Sequence, residues 1–125
     1  MTKNEGMVKN MAENFQDKGL EVLYAKCNGF PDPTDVQGVK PDVVGWDPQN
    51  ELYHLGIVAD SETITYDSTK EKINTLAKMM MGVGTSEGER LPFYVGVTKE
   101  ASTITDKKLQ ENNLISQGNI EKILV

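Results

Sequence analysis

The sequence predicts a mixed α/β domain, a sheet carrying helices on its faces, on three observations. Segments with apolar residues at helical spacing alternate with short strand-like segments, in the order helix, strand, strand, strand, helix, strand, helix, strand. One strand segment, LPFYVGV at 91–97, is strongly apolar, as a strand buried on both faces is. The 125 residues, 38% of them hydrophobic, suffice for one domain with one core.

Each element has its own justification. Thr2 with Glu5 three positions on has the form of a capping box. Met7, Val8, Met11, Ala12 and Phe15 then recur at helical spacing, and Gly19 is a natural stop. LEVLYAK, 20–26, alternates as a strand does. Residues 27–40 hold Gly29, Pro31, Pro33 and Gly38 with little periodicity, which predicts a long loop. Pro41 opens PDVVGWD, DPQN at 47–50 is a turn signal, and ELYHLGIV at 51–58 is the return strand of a hairpin. Ser68 with Glu71 predicts a second helix over 68–81, with Ile73, Leu76, Ala77, Met80 and Met81 as its stripe. GVGTSEGER, 82–90, is a glycine-rich loop. A short helix is expected over 103–112, opened by Thr103 and Asp106, and NIEKILV at 119–125 is the last strand.

Charge and motif content narrow the function. Thirteen Lys and Arg against nineteen Asp and Glu give a net charge of −6, which opposes strong non-specific nucleic-acid binding. The single cysteine, Cys27, cannot form an internal disulfide. No apolar run is long enough to span a membrane, and the first fifteen residues lack a signal-peptide pattern. These features predict a cytoplasmic protein with no membrane partner. The nucleophile elbow, HExxH, calcium-loop and paired-cysteine patterns are absent. GVGTSEG lacks the Lys-Ser/Thr ending of a phosphate loop and reads as a turn. His54, the only histidine, reads as a structural strand residue, and a Cys27–His54 pair lacks an orienting third group. Trp46 reads as a hairpin anchor.

The most informative stretch is Pro41-Asp42 with the strand that follows. An acid at the start of a hairpin, with an acid and a lysine alternating on the next strand, holds a divalent metal and a water for phosphodiester cleavage. The chain carries GFPDP at 29–33, VKPDVVGWDP at 39–48, TKEKI at 69–73, PFYVGV at 92–97 and then Lys99-Glu100. In that order and spacing, from Glu5 to about Glu100, it resembles small stand-alone members of the PD-(D/E)xK nuclease superfamily. The resemblance implies one restriction-endonuclease-like domain over 1–125, a mixed β-sheet flanked by helices in the order αβββαβαβ. It makes Asp42 the first-strand acid and Glu5 a helix-one acid that assists metal binding.

The Glu-x-Lys of that superfamily falls on Ile57 and Ala59, so both catalytic groups are replaced. The leading expectation is therefore a catalytically degenerate nuclease-like domain without a cofactor, in a structural, regulatory or interaction role. The alternative is a Mg²⁺-dependent nuclease using Asp42, Asp60 and Glu62, with Lys72 or Lys70 as a relocated lysine and Glu5, Asp42 and Asp60 as metal ligands. Asp60 and Glu62 share a face only if the strand continues that far, and Asp60 is an odd number of residues from Ile57. Two further readings are a non-cleaving nucleic-acid binder, with Lys26, Lys40, Lys70, Lys72 and Lys99 on one face, and an unrelated α/β domain. Partners to expect are a second copy, through an exposed strand or the Met-rich helix end at 79–81, or another protein.

Overall fold

A computed structural model describes residues 3–27, 29–33, 38–82, 84, 87–111 and 120–125. The expected cap at Thr2 and the boundaries at Asn112 and Asn119 lie outside the described residues.

α1 (Lys3–Asp17) is followed by three strands, β1 (Glu21–Ala25), β2 (Val43–Asp47) and β3 (Leu52–Ala59). α2 (Asp67–Ala77), β4 (Phe93–Val97), α3 (Ser102–Glu111) and β5 (Ile120–Leu124) complete the chain. α1 ends as its sequence predicts. Gly19 takes φ 85°, the Gly19 N–H donates to Gln16 O at 3.0 Å, and the Leu20 N–H donates to Phe15 O at 3.0 Å. This is a Schellman closure, and Leu20 joins Phe15 in the same apolar cluster.

The five strands form one mixed sheet in the order β1-β2-β3-β4-β5. β2 runs antiparallel to both neighbours, while β3, β4 and β5 are parallel. Val43 lies opposite Gly56, and Ile57 lies beside Val95. Because alternate residues point to opposite faces, β3 divides its side chains between two cores. Val58 packs with Met7, Val8, Met11 and Phe15 of α1. Leu55, Ile57 and Ala59 pack with Ile73 and Leu76 of α2 and with Leu109 of α3.

α1 lies close to the sheet because the strands beneath it lack side chains at three points. A Cβ added at Gly45 would stand 2.9 Å from Phe15, and one at Gly96 would stand 2.6 Å from Met11. One at Gly56 would meet the Met11 sulfur. The three glycines cross β2, β3 and β4 as a trough that receives Met11 and Phe15.

The structure corrects several boundaries. α2 stops at Ala77, four residues before the predicted end at Met81. The chain after it doubles back: Met80 bridges Arg90, the Met81 N–H donates to Glu89 O, and the Leu91 N–H donates to Met79 O. These inter-segment bonds replace the last helical turn. α2 also begins at Asp67, with Tyr66 in the cap position and no side-chain cap bond, so the Ser68 box does not open it. α3 begins at Ser102, after a short 3-10 turn over Lys99–Ala101. A second 3-10 turn, Thr63–Thr65, follows β3 where no element was expected. Among the described residues, no helix is long and apolar enough to cross a membrane.

Candidate functional site

Asp42 sits at the mouth of β2, held by backbone on both sides. Its N–H donates to Gly56 O at 2.8 Å, and its carbonyl accepts from the Lys26 N–H at 2.9 Å. Its side chain extends this ladder, since Oδ2 accepts from the Val58 N–H at 2.8 Å. The carboxylate thus does for β3 what a backbone carbonyl does further along. Asp42 is 7% exposed, and burial pushes its carboxyl above the ordinary 3.8. The Val58 N–H and the charges of Lys72 and Lys26 pull partly the other way.

The two β3 positions that correspond to Glu-x-Lys add no charge here. Ile57 is 1% exposed and Ala59 is fully buried, both within the core beneath α2. Of the sequence-predicted site residues, Lys72 is the one whose charge reaches Asp42, from the half-buried face of α2.

Asp60 and Glu62 have other uses. β3 ends at Ala59, so the two acids do not alternate along a strand. The Asp60 Oδ1 accepts from the Glu62 N–H at 3.0 Å and the Thr63 N–H at 2.8 Å, while the Asp60 N–H donates to Thr63 Oγ1. This reciprocal bonding shapes the 3-10 turn, as a capping box shapes a helix start. The exposed Glu62 accepts from the Tyr66 hydroxyl at 2.9 Å. Glu5 lines a different hollow of about 310 Å³ with Lys26, Cys27, Phe30 and Asp32. Burial and the charge of Glu5 raise the Cys27 thiol's pKa, the opposite of what activates a cysteine nucleophile. Among the described residues, no three His, Cys, Asp or Glu side chains converge as metal ligands. Asp60 is bonded within its own turn and Glu5 lines a separate hollow, so the structure does not gather the expected ligands Glu5, Asp42 and Asp60 into one set.

At the other end of β3 stands a cluster that the sequence did not disclose. The His54 Nδ1 lies 3.0 Å from the Tyr94 hydroxyl, and the two rings stack at 5.7 Å. Its Nε2 lies 3.6 Å from Asp47 Oδ2, longer than a hydrogen bond. Burial keeps the imidazole below its ordinary 6.5 despite the opposing pull of Asp47, so the pair is not an ion pair at neutral pH. We assign the proton to Nε2, which leaves Nδ1 to accept from Tyr94. Burial, Glu121 and Asp47 push the Tyr94 hydroxyl up to about 12, so it stays protonated. Phe15 meets Tyr94 edge-on at 5.0 Å, and the Lys18 ammonium lies 5.6 Å from the centre of its ring. The cluster is a polar pin within the α1 core: a protonated tyrosine and a neutral histidine provide no activated nucleophile.

Protein-family models, curated proteins and solved structures all give no match to this chain.

Proposed function

We propose that this chain is a catalytically degenerate nuclease-like domain, without phosphodiesterase activity, that serves as an interaction or regulatory module. One observation carries the reading. An aspartate stands at the start of β2, and the neighbouring strand offers apolar core residues, Ile57 and Ala59, where cleavage needs a second carboxylate and a lysine. The order of motifs around Asp42 and the mixed sheet with its reversed second strand support the nuclease-like part.

The test is incubation with single- and double-stranded DNA and RNA in Mg²⁺ and in Mn²⁺, with Asp42→Ala alongside. No cleavage, and no divalent-ion binding by calorimetry, is the expected result. Cleavage that disappears in Asp42→Ala would overturn the reading. It would favour the Mg²⁺-dependent alternative, whose support is that the Lys72 charge reaches Asp42.

A further inference from the structure

Among the described residues, the face of the sheet opposite α1 is not covered to its edge by a helix. There α2 packs on β3 and β4, and α3 packs on β5, so β1 and β2 lack a comparable partner. This leaves an apolar groove of about 400 Å³, floored by Tyr24, Val44 and Leu55 and lipped by Met79, Met80 and Met81. Tyr53 lines it and is 40% exposed, and Met80 is 54% exposed. Trp46 packs against Tyr53 beside it, with ring centres 4.9 Å apart.

We infer that this groove docks an amphipathic helix of a partner protein, one that carries Lys or Arg beside its apolar stripe. Charge names the occupant. Glu21 lies opposite Trp46 in the β1–β2 register, and Glu51 stands just before β3. Glu89 accepts from the Met81 N–H through its carbonyl, and Glu87 adjoins Gly88, whose N–H donates to Met81 O. Among the described residues, Lys78 and Arg90 stand against these four acids, a surround of the same sign as the −6 of the chain. A second copy would bring two negative surrounds together, whereas a basic helix is attracted. Addition of a strand to β1 is disfavoured as well, because the ladder shifts register between Val22 and Tyr24. The occupant therefore lies on the face. A cavity of this size takes two or three large side chains, such as a helix presents at i, i+3 or i+4, and i+7. Methionine side chains adapt to an irregular apolar surface. The inference is independent of the Asp42 reading: cleavage by the chain would overturn that reading and leave this one intact.

Trp46, the single tryptophan, is the reporter. The full chain is titrated with a Leu/Lys peptide of about 18 residues, long enough to hold a helix. The controls are a Leu/Glu peptide and a Ser/Lys peptide of the same charge. A saturable shift of Trp46 emission is expected with Leu/Lys alone, weakened about tenfold in Met80→Asp. That substitution is at an exposed position and adds a negative charge, so attraction by charge alone would tighten binding instead. No saturable shift with Leu/Lys, an equal response to either control, or unchanged or tighter binding by Met80→Asp would overturn the inference. So would a peptide-free, concentration-dependent shift with a dimer in sedimentation, which assigns the groove to a second copy.

Discussion

The two faces of the sheet bury their apolar side chains in different ways. On one face a single helix, α1, sits in a trough of glycines and is held by close contact, with Phe15 and Lys18 against the Tyr94 ring that His54 partners. On the other, α2 and α3 cover three strands and, among the described residues, leave the β1–β2 end without a helix. The first arrangement admits almost no change of volume, because interiors packed this closely relax little. The second keeps apolar surface in reserve at the edge, where it is available to a partner. The difference indicates that the α1 face is the less tolerant of added volume, and that variation is tolerated at the β1–β2 end of the opposite face rather than in the core beneath α2 and α3.

The sharpest way to break this contrast is at Gly56. A Gly56→Val side chain would collide with Met11 and Phe15, and a loss of about 3 kcal/mol is expected in chemical denaturation. Gly82→Ala, where an added Cβ meets nothing within 4 Å, is expected to stay within about 0.5 kcal/mol. Equal losses at the two positions would remove the distinction.

Tyr94→Phe tests the pin. It deprives His54 Nδ1 of its partner in a buried setting, for an expected loss of about 1–2 kcal/mol by urea denaturation. The pH dependence has a definite sign. The folded pKa of His54 is depressed, so its contribution to stability is present above pH 6.5 and is lost as pH falls through the folded value. His54→Gln is expected to flatten stability over that acidic interval, read from thermal midpoints across pH.

Asp42→Asn should work in the opposite direction. The folded carboxyl holds its proton more tightly than the unfolded one, so its contribution is present below about pH 3.8 and is lost as pH rises through the raised value. The asparagine can still accept from the Val58 N–H without a buried charge. At pH 7 a gain of up to about 1 kcal/mol is expected, disappearing in acid. A loss at pH 7 would mean that Lys72 and Lys26 outweigh desolvation. Smallest of all, Met80→Ser on the open face should change stability by no more than about 0.5 kcal/mol.

Local chemistry made much of the fold legible. The Gly19 stop, the strand cores and the hairpin turn at Asp47–Asn50 are short-range features, and α/β class followed from their order. The end of α2 was not legible, because Met79, Met80 and Met81 continue the helical period while bonds to residues 89–91 take the backbone elsewhere. Asp42 could be singled out from Pro41-Asp42, whereas the reach of the Lys72 charge to it depends on how α2 lies over β3. The capping use of Asp60 was hidden, since it needs the strand to stop at Ala59. The His54–Tyr94 contact was hidden for a simpler reason. Its members are 40 positions apart and meet only through the β3–β4 register.

The glycine trough has one more consequence, for the order in which the chain can assemble. α1 is made first, but its seat is contributed by β2, β3 and β4, ending at Gly96. Each strand, by contrast, lies beside its neighbour in sequence. During synthesis the helix can settle on β1, β2 and β3 as they emerge, Phe15 finding its place over Gly45 and Gly56, while the seat of Met11 is complete only once β4 brings Gly96.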